Sequence, residues 1–204
     1  MSLGRWFPPL GRAGLASAVT SVGVAAAVTA MAVAPLGHAR LALSLLAVAL
    51  AADRFDGPIA RARGESSPFG VEIDSLADQV AFVVTPAVLA LTSHALGLTF
   101  LPLLLLYVLA GTWRLAHFNV AGLRHDASGD WFQGQPTTDT AAWFLVLSVL
   151  ARHLAPTAAT VLLAVVFAAG SVLMLSALRY PKNGLPQRIL LLLVPLALIA
   201  LWLA

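Results

Sequence analysis

Six of the nine acidic side chains in this 204-residue chain fall between positions 53 and 78: Asp53, Asp56, Glu65, Glu72, Asp74 and Asp78. Four of them are aspartates at the ends of otherwise apolar stretches. A carboxylate inside a membrane helix costs at least about 2.5–3.5 kcal/mol, so such residues are usually functional and usually paired. Asp53 and Asp56 are three apart and share a helical face, with Gly57, Ala60 and Arg61 following at intervals of three or four. On the next helix Gly70, Asp74 and Asp78 recur every four residues, again on one face. The turn Ala62 to Phe69 makes the two helices antiparallel neighbours. Four carboxylates then converge beside floors small enough for a flat ligand to reach the backbone.

Four uncompensated aspartates in one pocket repel one another. Hard divalent cations held by oxygen ligands resolve the conflict, and Mg²⁺ is the usual choice where phosphates share the coordination. Ca²⁺ and Mn²⁺ are chemically admissible, whereas zinc is disfavoured because the cluster has no His or Cys. Two cations about 3.5–4 Å apart can clamp a pyrophosphate and stabilise the leaving oxygen. The spacing alone points to metal-dependent phosphoryl chemistry at a membrane surface.

The elements that must position these residues are read from composition. Apolar residues make up 60% of the chain and charged residues 10%, against about 45–50% and about 25% in soluble proteins. A soluble enzyme, a coiled coil and a disordered tail are excluded, because lipid must cover much of the surface. The net charge of +3 with a single lysine, Lys182, offers no basic cluster for nucleic acid. The absence of Cys excludes disulfides and thiolate nucleophiles.

Seven stretches suit membrane helices: about Leu15–Ala34, Leu41–Ala60, Gly70–Leu96, Leu101–Gly122, Thr138–Leu154, Ala158–Leu178 and Ile189–Ala204. The expected fold is all-α and polytopic, one transmembrane catalytic domain over 1–204. It divides into an interfacial segment 1–14 with Trp6 and Phe7, a six-helix core over 15–178 and an extra helix over 187–204. With the N-terminus in the cytoplasm, ten Lys and Arg side chains fall inside and only Arg40 and Arg152 outside. Trp113, Trp131 and Trp143 read as interface anchors. The polar run Arg124–Thr140, with His125, Asp126 and Asp130, reads as a plain hydrophilic connection in preference to a loop that covers the pocket.

The string Asp53-Arg-Phe-Asp56-Gly57-Pro-Ile-Ala60-Arg61, then eight residues, then Gly70-Val-Glu-Ile-Asp74-Ser-Leu-Ala-Asp78, matches every fixed position of a known signature. On it the chain resembles the CDP-alcohol phosphotransferases. The resemblance implies a six-helix membrane core, commonly a homodimer, open to the cytoplasm, in which an alcohol attacks a CDP-linked lipid and CMP leaves. Carried over by position, Asp53, Asp56 and Asp74 are metal ligands, and Asp78 is a further ligand and the general base. Gly57, Ala60 and Gly70, with Asp53 and Arg61, form the CDP seat. Two divalent cations, Mg²⁺ foremost, are the implied cofactors.

Further stretches resemble the phosphatidylserine synthase branch of that family: Val84-Thr-Pro-Ala-Val88, Arg114-Leu-Ala-His-Phe-Asn119, Phe132-Gln-Gly-Gln-Pro136 and Ala177-Leu-Arg179-Tyr180-Pro181-Lys182. That branch has Arg where His117 stands, Leu or Val where Gln135 stands, and Pro where Thr138 stands. The implied activity is transfer of a phosphatidyl group from CDP-diacylglycerol, or a CDP-archaeol-type lipid, to serine. Another acceptor, such as glycerol phosphate or inositol phosphate, is the alternative within the family. An ion or metal transporter is the alternative outside it, disfavoured because the acids cluster at one end and no repeat is visible. The implied setting is a prokaryotic cytoplasmic membrane with the site facing the cytoplasm.

Arg114, His117, Asn119 and Arg179 are candidates for binding the acceptor or a lipid phosphate. The simpler readings are a snorkelling Arg114, a solvated His117 and an Arg179 that anchors the membrane interface. His94 and His153, at the opposite side, carry no assigned role.

Overall fold

Small residues decide where the first two helices meet. Helix α1 (Leu15–Val33) buries Thr20, Gly23, Ala26, Ala27 and Ala30 along one stripe. Helix α2 (Ala39–Arg63) buries Ala42, Ala49 and Ala52 among others. Gly23 lets the backbones close up, since a Cβ there would stand 3.2 Å from the Ala52 Cβ. Lipid supplies no hydrophobic drive between helices, so close approach of small residues is what holds such a pair together. The computed structural model describes residues 9, 12–93, 96–126, 129–182 and 184–203. The interfacial segment bearing Trp6 and Phe7, and His94, lie outside the described residues.

The link from α2 to the next helix is shorter than the expected Ala62–Phe69. Gly64, at φ 65°, caps α2 in the left-handed region that glycine tolerates best. Three residues later Ser67 opens α3 (Pro68–Asp78) by accepting a hydrogen bond from the Gly70 N–H at 3.1 Å. Pro68 occupies the first helical turn, where its missing N–H costs nothing. Capping residues set the boundary; the apolar pattern is blind to them.

After Asp78 the rod continues through a π-helical turn, Gln79–Val84, into α4 (Thr85–Ser93). Pro86 has no N–H to offer the Phe82 carbonyl four residues back. The Tyr107 hydroxyl donates to that carbonyl instead, at 2.9 Å. Tyr107 comes from α5 (Leu101–Ala121), whose Gly111 meets the π turn so closely that a Cβ would stand 2.6 Å from the Val83 side chain. Tyr107 also packs edge-on against Phe167 of α7 (Pro156–Leu175), with ring centres 4.9 Å apart. Phe144 of α6 (Thr137–Ala151) completes that aromatic core.

Among the described residues, five helical segments are long and apolar enough to cross a membrane: Leu15–Leu36, Pro68–Thr92, Leu98–Ala121, Pro156–Leu175 and Leu185–Leu203. Helix α6 is apolar but shorter. The mostly helical, multi-pass fold expected from the sequence is the fold observed, and the extra C-terminal helix α8 (Leu185–Leu203) packs on α6 and α2.

One part departs from all-α. The polar run forms strands β1 (Arg124–Asp126) and β2 (Gly129–Gln133), and β3 (Arg179–Pro181) joins them in an antiparallel sheet ordered β1-β2-β3. Trp131 pairs with Pro181 and Gln133 with Arg179, so two connections distant in sequence become one cover. A hydrophilic run that does not form a helix still has backbone groups to satisfy, and pairing across the two connections satisfies many of them. Trp131 belongs to this sheet, with the Arg179 guanidinium 4.8 Å from its ring centre.

Candidate metal centre

Asp53, Asp56 and Asp74 each offer an oxygen within 4.8 Å of the others. Helix α2 supplies the first two and α3 the third, yet these helices make little backbone contact with each other. Helix α1 packs against both. Side chains reach across the space between the rods, and that space is where a cation fits. Asp78, one turn beyond Asp74, lies within hydrogen-bonding reach of Asp53. The four aspartates line a cavity of about 10 Å³ together with Thr20 and Gly23 of α1.

Asp56 is 6% exposed, and its Oδ2 accepts a hydrogen bond from the Thr20 hydroxyl at 2.7 Å. Asp78 Oδ2 accepts a longer one from the Thr137 hydroxyl, 3.4 Å away at the start of α6. Thr20 and Thr137 escaped the sequence reading. The one signal for Thr20 was a hydroxyl in the small-residue stripe Thr20-x-x-Gly23-x-x-Ala26-Ala27.

Arg114 is 7% exposed and does not snorkel. Its guanidinium lies near Asp78, Asp139 and Asp53, and over the rings of Phe118 and Phe132 at 5.1 and 5.8 Å. One guanidinium against four clustered carboxylates leaves a surplus of negative charge, and the donors are all hard oxygens. The residues fit a divalent cation on both counts.

The other expected residues are placed as follows. Gly57, Ala60 and Gly70 are half-buried toward the same end of the two helices. The Arg61 guanidinium lies over Gly57, 3.4 Å from where a Cβ would stand. Glu65 belongs to a different device: its Oε2 accepts from the Ala16 N–H at 3.1 Å and its Oε1 from Arg63 Nε at 3.0 Å. It thereby caps α1 from the signature's own turn. The Ala16 N–H first, and Arg63 second, hold its carboxyl below the usual carboxylate range.

The four acceptor candidates do not converge. Only Arg114 reaches the carboxylates. Asn119 accepts from the Ser75 hydroxyl at 2.7 Å and faces Glu72, while His117 is exposed. Arg179 pairs with Asp126 at 2.8 Å on the sheet.

Asp139 went unrecognised. It stands in the first turn of α6 and faces Tyr180 and Gln187. Burial first, and the Asp139 carboxylate second, push the Tyr180 hydroxyl above its ordinary range. Asp139 also lines a groove of about 650 Å³ that runs between α2, α6 and α8 and reaches Asp53. Arg54, Lys182 and Arg188 border this groove, and Leu50, Leu191 and Val194 give it an apolar flank.

A family model described as CDP-alcohol phosphatidyltransferase matches residues 13–175. The chain belongs to the CDP-alcohol phosphatidyltransferase family. Among curated relatives, it is 43% identical over 108 residues to the CDP-diacylglycerol–serine O-phosphatidyltransferase of Saccharomyces cerevisiae, covering 49% of this chain and 38% of the relative. To the Helicobacter pylori protein of the same name it is 35% identical over 148 residues, covering 70% and 61%. To the archaetidylserine synthase of Methanothermobacter thermautotrophicus it is 33% identical over 150 residues, covering 72% and 60%. The chain thus spans less than two thirds of these relatives' lengths. Membership of the family accounts for the signature on α2 and α3, while α8 lies outside the matched region.

Proposed function

We propose that this CDP-alcohol phosphatidyltransferase transfers a phosphatidyl-type group from CDP-diacylglycerol, or a CDP-archaeol-type lipid, to serine, releasing CMP. The observation that carries the reading is the meeting of Asp53, Asp56, Asp74 and Asp78 at one end of a bundle whose signature helices the family model covers. The names of the yeast, Helicobacter and Methanothermobacter relatives favour serine.

In this reading Asp53, Asp56, Asp74 and Asp78 hold two divalent cations, Mg²⁺ in preference to Mn²⁺ or Ca²⁺. Bound there, the cations would offset the charge of the pyrophosphate and of the departing CMP. Gly57, Ala60 and Gly70 leave room for cytidine, and Arg61 stands ready for a phosphate. Asp78 accepts the serine hydroxyl proton as that oxygen bonds to phosphorus and the bond to CMP breaks. Thr137 orients the Asp78 carboxylate for this. Arg114, buried beside Asp78, balances part of the local charge.

The groove between α2, α6 and α8 suits the lipid donor, its apolar flank taking chains and Arg54, Lys182 and Arg188 the phosphates. The chain works as one catalytic domain, as a homodimer, in a prokaryotic cytoplasmic membrane with the aspartates on the cytoplasmic side.

Purified protein with radiolabelled CDP-lipid and Mg²⁺ tests this. CMP release should require serine and stop on chelation of the cation. Release driven by glycerol phosphate but not serine would move the acceptor to the phosphorylated class, which the cations around the groove also suit. No release with any alcohol would refute the reading.

A further inference from the structure

All nine acidic side chains of the chain lie in α2 beyond Ala52, in the turn that follows it, in α3, in the sheet or at the start of α6. The opposite end of the bundle has no Asp or Glu, yet it carries Arg40 and Arg152. Those two residues, 112 positions apart in sequence, line one cavity of about 320 Å³ with Gly37, His38 and Trp202.

Each arginine could have a local explanation, and they differ. Arg152 caps the C-terminus of α6, where the helix dipole welcomes a cation. Arg40 is the second residue of α2, where the dipole repels one. Neither forms an ion pair among the described residues, and no acidic side chain is near enough to supply one. Two cations line one cavity, Arg40 half-buried against its own helix dipole and Arg152 exposed, and so are placed to take an anion from outside the protein.

Trp202 says where that anion comes from. Its indole is 58% exposed, and its Nε1 donates to the Ser44 hydroxyl of α2 at 3.0 Å. A tryptophan held this way, with an apolar face outward and its N–H engaged, is typical of headgroup depth. The cavity is completed by α8, which the family model does not cover.

We propose that Arg40 and Arg152 form a binding site for the phosphate of an anionic phospholipid in the leaflet opposite the aspartates, with Trp202 against the glycerol region. The two guanidiniums supply the charge-assisted hydrogen bonds that a phosphodiester accepts. The site is separate from the catalytic end and stands whether or not serine is the acceptor.

Native mass spectrometry of the detergent-purified protein titrated with phosphatidylglycerol tests the proposal. The wild type should retain one more lipid per chain than the double variant R40Q/R152Q, whose affinity for that lipid should fall at least about tenfold. Phosphatidylcholine should show no such difference. The variant R40K/R152K keeps the charge and should recover part of the binding, which also guards against a folding defect in the glutamine pair. Equal lipid retention by wild type and R40Q/R152Q would overturn the site. Displacement of the lipid by millimolar inorganic phosphate would reassign it to free phosphate and overturn the lipid claim.

Discussion

The two ends of this bundle treat charge in opposite ways. At one, each of the deepest aspartates has a donor of the protein's own: Thr20 for Asp56, Thr137 for Asp78, with Arg114 close by. At the other, Arg40 and Arg152 share a cavity with no counter-charge from any Asp or Glu. The first end is built so that its surplus is modest and specific, waiting for a small hard ion. The second leaves its surplus to the surrounding lipid. The contrast teaches that charge in a membrane protein is meaningful according to what the protein itself provides beside it.

Three changes should sharpen or break that contrast. The largest effect is expected from Asp78→Asn, which removes the proposed proton acceptor and should lower turnover by about 10²–10⁴-fold in a CMP-release assay. Activity close to the wild type would remove Asp78 from that role. A middle effect is expected from Thr20→Val. Hydrogen bonds to charged groups are worth about 1.5–3 kcal/mol, so the Mg²⁺ concentration giving half-maximal rate should rise roughly tenfold. An unchanged cation requirement would mean that Asp56 needs no help from α1.

The smallest effect concerns pH. The Glu65 carboxyl is held below its usual range by the Ala16 N–H and Arg63. A depressed carboxylate adds stability that is present above its unfolded pKa and is lost as pH falls through the folded one. The thermal midpoint of the wild type should therefore drop on acidification through that window more than the midpoint of Glu65→Gln. Parallel curves would show that this cap contributes nothing measurable.

How much of this was legible beforehand follows from what each feature depends on. The apolar stretches and the intervals between aspartates are local properties, and they gave the helices and the signature. Where a boundary was set by capping, as at Gly64 and Ser67, hydropathy stopped short of it. The sheet was missed because Arg179-Tyr-Pro181 and Gly129–Gln133 become strands only by meeting each other across the bundle. Asp139 was passed over for a similar reason: its partners Tyr180 and Gln187 lie some forty residues away. Arg114, His117 and Asn119 looked like one group because they are close in sequence. Yet only Arg114 reaches the clustered aspartates, while Asn119 faces Ser75 and Glu72 and His117 is exposed.

The π turn after Asp78 changes the angular phase of everything downstream. One residue more per turn than an α-helix rotates the following face by about 100°. Below the turn the rod shows its carboxylates to α1 and α2; above it, the same rod is free to show Leu89 and Ala90 to the greasy interior. A single continuous segment thereby keeps two incompatible appointments, and a one-residue deletion between Gln79 and Val84 would force it to miss one of them.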